Sequence, residues 1–129
     1  KAILLVAGAA AKKFMMDLES QQEILMNIAD MALDVFTMES ALLRTEKLYK
    51  KLGEESSQVQ FTLTKVYLSD ALERIHIAGK HAVCAFAEGD ELRMMLLGLK
   101  RFTKSQPYNT IGMRQELAEI MIQENRYCF

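Results

Sequence analysis

The chain has 129 residues, half of them hydrophobic and about a quarter charged, with a formal net charge of −1. That length fits one domain burying roughly two-thirds of its unfolded surface, and the balance is that of a globular protein rather than a disordered one. A charge so near zero gives no general attraction for phosphate backbones, so nucleic acid is not an expected partner.

The opening run Ala2-Ile3-Leu4-Leu5-Val6 follows Lys1 and breaks at Gly8, with Lys12-Lys13 beyond it. A signal peptide has the opposite order of charge and apolar run. The run is also far short of the ~20 residues that a membrane span needs. The economical expectation is a piece of a longer protein, beginning just before a helix. That first helix should cover about residues 2–18, where the small patch Ala7-Gly8-Ala9-Ala10-Ala11 would admit a close neighbour.

Ser20-Gln21-Gln22-Glu23 has the capping-box spacing, in which the Ser hydroxyl and the Glu carboxylate each accept from an otherwise unpaired amide. It predicts a second helix running to about Leu52, with Gly53 as a left-handed stop and Lys47, Lys50 and Lys51 near its carbonyl end. Ile24, Ile28, Met31, Val35, Met38 and Leu42 form its seam in steps of four and three. A second row, Leu25, Ala29, Ala32, Phe36 and Leu43, widens the seam into a core-facing stripe.

Ser57-Gln58-Val59-Gln60 is a second capping box and opens a third helix, expected to end near Glu88 with Gly89 beyond it. Its seam is Leu68, Leu72, Ile75, Gly79, Ala82 and Phe86. Asp90 is placed to cap a fourth helix over about residues 91–104, and Pro107 forces a break. Asn109 or Thr110 then starts a last helix through about Asn125, with Leu117, Ile120 and Met121 on its buried face. No segment sustains strand alternation, and the connections are short. The expected fold is therefore all-α, an antiparallel up-and-down bundle of four to five helices forming a single domain over residues 1–129.

Few constellations suggest chemistry. Glu73-Arg74-Ile75-His76 has the Glu-x-x-His spacing of di-iron bundles, but it occurs once where two copies and two further carboxylates are needed, even if Glu39 is counted. His76 and His81, five apart, diverge on a helix. Cys84 and Cys128 are too few for a disulfide framework or a zinc site and read as free thiols of a reducing, cytoplasmic compartment. Cys84, three residues after His81, is expected to be buried and inert among Ala82, Val83, Ala85 and Phe86.

Lys100-Arg101-Phe102-Thr103-Lys104 reads as charge complementing a helix C-terminus, or as a contact for an anionic surface such as a lipid headgroup or a coenzyme pyrophosphate. Asp30 and Asp34 sit at the edge of the seam, paired across helices or simply solvated. Most of the nine methionines fall on expected seams, which makes core packing their default. In Met94-Met95-Leu96-Leu97 four consecutive apolar residues cannot all face one side, so part of the run must meet a neighbour. No catalytic, cofactor-binding or metal-binding residue is assigned.

The stretch from Ile28-Ala29-Asp30-Met31-Ala32-Leu33-Asp34-Val35-Phe36-Thr37-Met38 through Glu39-Ser40-Ala41-Leu42-Leu43-Arg44-Thr45-Glu46 resembles the first long helix of the C-terminal extension in very-long-chain-type acyl-CoA dehydrogenases, as in bacterial members. Ala87-Glu88-Gly89-Asp90-Glu91-Leu92, Arg101-Phe102-Thr103, Arg114-Gln115-Glu116-Leu117-Ala118-Glu119 and the final Glu124-Asn125-Arg126-Tyr127-Cys128-Phe129 continue the likeness.

The resemblance implies a parent flavoenzyme that oxidises acyl-CoA thioesters to trans-2-enoyl-CoA, with a carboxylate base and FAD held several hundred residues upstream. It implies a non-catalytic role for this chain: packing on the catalytic core and supporting homo-oligomer assembly, with acyl-CoA met only through the parent. In mitochondrial members the extension also associates with the inner membrane. This chain lacks their strongly basic amphipathic segment, so peripheral membrane association stands as the alternative, ahead of an independent metal-binding bundle.

Overall fold

The computed structural model describes residues 1–126. Cys128 and the end of the Tyr127-Cys128-Phe129 likeness lie outside them. Five α-helices are present, and no strand occurs among the described residues: α1 (Ala2–Phe14), α2 (Gln22–Leu52), α3 (Glu54–Phe86), α4 (Gly89–Phe102) and α5 (Thr110–Glu124). A 3-10 turn, Met15–Ser20, replaces the last turn expected of the first helix. At its start Met15 takes a positive φ of 49°, a conformation that side chains with a Cβ adopt at a cost.

Both Ser capping boxes are overturned. The Ser20 hydroxyl donates backwards to the Asp17 carbonyl at 2.7 Å, and it is the Gln21 carbonyl that accepts from Leu25 N–H to open α2. The chain turns directly at Gly53, at φ 83°, so α3 starts at Glu54 with Glu54 and Glu55 in its first turn, where carboxylates suit the exposed amides. Ser57 is thereby inside the helix, and its hydroxyl donates to the Gly53 carbonyl. Nor does Asp90 cap α4: Glu88, extended, is the cap residue, and Asp90 lies in the first turn. Of the two expected starts, Asn109 or Thr110, Asn109 is the cap of α5, its side chain accepting from Gly112 N–H at 3.1 Å.

The chain resolves into two compact units, one of Lys1–Val35 with Ala71–Ser105, the other of Phe36–Asp70 with the chain from Gln106 onward. In the first, Ala2, Val6 and Ala10 bury one face of α1. Ile24 and Met31 of α2, Ile75, Ala82, Val83 and Phe86 of α3, and Leu99 of α4 complete the core. Phe14 meets Phe86 edge to face, ring centres 5.8 Å apart.

Close approach does not occur at Gly8, which faces open space, whereas Ala10 of the same expected patch is fully buried. It occurs at Gly79, where an added Cβ would lie 2.8 Å from Leu99 Cδ1 and 3.3 Å from Met31 Cε, and at Gly98, 3.1 Å from Leu5 Cδ2. Within this unit α2 and α3 are antiparallel, since Met31 is opposite Gly79 while the later Asp34 is opposite the earlier Arg74.

In the second unit α2 and α3 are also antiparallel, with Thr45 on Thr64 and Tyr49 edge to face on Phe61. Among the described residues its buried apolar side chains are Val66 and Leu117, and its other buried side chains are the hydroxyls of Thr45, Ser57, Thr62 and Thr64.

Candidate functional site

Three clefts gather most of the residues that carry potential chemistry. The first lies between α2 and α3 of the first unit and includes Asn27, Asp30, Asp34, Arg74 and His81. Asp34, placed at the seam edge by its helix position, accepts from Arg74 Nη2 at 2.5 Å, and Arg74 Nε reaches both carboxylate oxygens at 3.2 Å. Geometry of this two-pronged kind orients a guanidinium as well as attracting it. Asp34 is thus a cross-helix tie, while Asp30 is exposed beside it. Arg74, the partner, could not be chosen from sequence, because 40 positions separate it from Asp34.

The second cleft holds Glu73 and His76 of α3 and the basic end of α4. His76 is half-buried, with Nδ1 2.9 Å from Thr103 Oγ1, and the Thr103 hydroxyl donates to the Leu99 carbonyl at 2.9 Å. Thr103 has one hydrogen to give, so its oxygen accepts from Nδ1–H, which fixes the imidazole ring. Glu73 shares the cleft, but no group of three or more His, Cys, Asp or Glu side chains able to hold a metal occurs among the described residues. His81 is exposed, and so is Cys84. The expectation of a buried Cys84 is overturned: α3 turns Ala82, Val83 and Phe86 inward and leaves the thiol outside their arc.

The third cleft, in the second unit, is the most apolar. It has a volume of about 480 Å³ between Ala41, Leu63, Val66, Tyr67 and Leu117, and is closed at one edge by Arg114 on Asp70. Both Arg114–Asp70 contacts fall at 2.6–2.7 Å, and Arg114 also donates to Thr110. With that guanidinium committed, the cleft offers no free cation for a pyrophosphate.

Several expected core positions are solvent-facing. Val35 and Leu42 of the α2 seam are exposed, as are Leu25, Ala29, Ala32, Phe36 and Leu43 of its second row. Asp34, Ala41, Thr45 and Leu48 take the inward places instead. Met15, Met16, Met26 and Met94 are strongly exposed, and Met121 is partly so; Met31 alone of the methionines is fully buried. Met94 and Leu97 are the members of the four-residue apolar run left in solvent.

An all-α chain of five helices, without a strand among the described residues, is the class that these features define. Residues 1–101 match the family described as acyl-CoA dehydrogenase, C-terminal domain, and the chain belongs to that family. It is 37% identical over 127 residues, 98% of its length, to a probable acyl-CoA dehydrogenase of Bacillus subtilis (strain 168). It superposes with a TM-score of 0.96 and 39% identity on a crystal structure of an acyl-CoA dehydrogenase complexed with FAD from Bacillus anthracis, over 99% of this chain. The chain spans about a fifth of the length of each, 21% and 22%. No helix of the described residues is long and apolar enough to cross a membrane.

Proposed function

We propose that this chain is a non-catalytic helical domain of an FAD-dependent acyl-CoA dehydrogenase of the very-long-chain type, packing on the parent's catalytic core and supporting subunit assembly. In this reading 1–129 is one functional domain, and its parent oxidises acyl-CoA to trans-2-enoyl-CoA. FAD and acyl-CoA are held by the parent, and no residue of this chain enters the reaction.

The carrying observation is the imbalance of the second unit. Two buried apolar side chains, Val66 and Leu117, stand against Phe36, Leu43, Ile111 and Ile122, which are 57–76% exposed. Apolar surface left in water forgoes roughly 25 cal/mol per Å², so a surface of this composition gains by being covered. Relatives about five times as long carry further chain beyond the matched region, and the proposed cover would come from the corresponding part of the parent.

The test compares the intact parent with a version lacking these residues and with a Phe36→Glu/Leu43→Glu/Ile122→Glu variant. Both changes should lower the thermal midpoint and shift the oligomer distribution in analytical ultracentrifugation while bound flavin is retained. A truncated parent with unchanged activity, assembly and stability would remove the proposed role.

A further inference from the structure

The cleft at the end of α4 has a volume of about 550 Å³, and Lys100, Arg101 and Lys104 line it together. Several other cations have a carboxylate partner: Arg74 on Asp34, Arg114 on Asp70 and Lys50 on Glu46. No carboxylate among the described residues comes within ion-pair distance of Lys100, Arg101 or Lys104, although Glu73 stands on the opposite wall. Complementing the α4 carbonyl end accounts for one positive charge near the last turn. It does not account for three around one concavity, where like charges repel unless an anion sits between them.

The second observation is His76. Its Nδ1–H is committed to Thr103, which leaves Nε2 as the ring's remaining polar atom in a residue that lines the same cleft. The ring is held from behind by a hydrogen-bond chain through Thr103 to the Leu99 carbonyl, so ligand binding would not need to order it. The Ser105 hydroxyl adds a further donor at the rim.

We propose that this cleft binds a phosphate ester. A phosphate carries close to two negative charges and three acceptor oxygens, against one charge and two oxygens for a carboxylate. The guanidinium of Arg101 suits two of those oxygens, and Lys100 and Lys104 supply charge to the third. His76 lines the cleft beside them. The site is independent of the assembly role proposed above, because it lies in the first unit and uses none of the exposed apolar side chains of the second.

The test uses the full chain. Inorganic pyrophosphate is titrated by calorimetry at low salt, and flotation is measured with phosphatidic acid and with phosphatidylcholine vesicles. Saturable pyrophosphate binding that weakens at least tenfold in Lys100→Gln/Arg101→Gln/Lys104→Gln supports the site and indicates a soluble ester. Binding to phosphatidic acid vesicles alone, lost in the same variant, supports it with a lipid as the phosphate source.

Arg101→Lys should fall between wild type and the triple variant, since it keeps the charge and loses the fork. Lys12→Gln/Lys13→Gln, which removes an exposed basic pair outside the cleft, should bind as wild type. The proposal is overturned if neither probe binds the wild type, if the triple variant binds as well, or if Lys12→Gln/Lys13→Gln weakens binding equally. The cleft substitutions are at exposed positions, and circular dichroism verifies that the fold survives them.

Discussion

Gly79 is where single-atom geometry decides most. Leu99 and Met31, both fully buried, close over the missing side chain, so neither has free space to withdraw into. Gly79→Ala should cost about 1–3 kcal/mol, the usual penalty of overpacking. Gly8→Ala should instead stabilise by up to ~1 kcal/mol, because Gly8 is helical and faces open space. Chemical denaturation of the two variants side by side checks the contrast.

The Thr45–Thr64 hydroxyl pair, 2.7 Å apart and buried, gives a second test. Thr45→Val leaves Thr64 without that partner and should cost about 1–3 kcal/mol, whereas Thr45→Val/Thr64→Val should recover much of the loss. A double variant no better than the sum of the singles would contradict this account.

At the scale of elements, the helix ends show how several local signals compete. Gly53 and the acidic pair Glu54 and Glu55 start α3 three residues ahead of Ser57, and a serine inside a helix can only bond back to the preceding turn. Asn109 has no such rival, since Pro107 precedes it and α5 begins directly after it. Asn109→Ala should therefore lower stability by about 1 kcal/mol, while Ser20→Ala, whose hydroxyl serves only the 3-10 turn, should have a smaller effect. Equal losses in thermal melts would contradict these assignments. Met15, 76% exposed and at positive φ, should tolerate glycine, with Met15→Gly stabilising by up to ~1 kcal/mol through relief of backbone strain.

For the molecule as a whole, the two units differ in what holds them. The first buries a continuous apolar set from α1 to α4, and the second relies on Val66, Leu117 and a row of hydroxyls. Buried hydroxyl pairs contribute about 1 kcal/mol each at best, less than a well-packed Leu or Ile. Amide hydrogen exchange in the isolated chain should accordingly be slower around Ile75–Phe86 than around residues 58–68 of the same helix. If the parent covers the second unit, that difference should shrink in the intact enzyme. Uniform protection along α3 in the isolated chain would contradict the unequal division of stability.

The sequence alone determined the all-α class, a set of four to five helices, the stop at Gly53, the break at Pro107 and a helix start at Asn109 or Thr110, because each follows from chemistry within a few residues. It also carried the family likeness, since the long α2 pattern is local. Tertiary structure decided which part of each apolar face is covered. The inward face of α2 follows a step of three and four through Met31, Asp34, Met38, Ala41, Thr45 and Leu48, one position away from the more apolar Val35 and Leu42. Asp34 and Thr45 point inward because Arg74 and Thr64 wait on α3, partners 40 and 19 positions away that no local pattern could name. Cys84 and the exposed methionines follow the same logic: a periodic pattern shows that a helix has an apolar face, and only the neighbours packed around it fix how wide that face is.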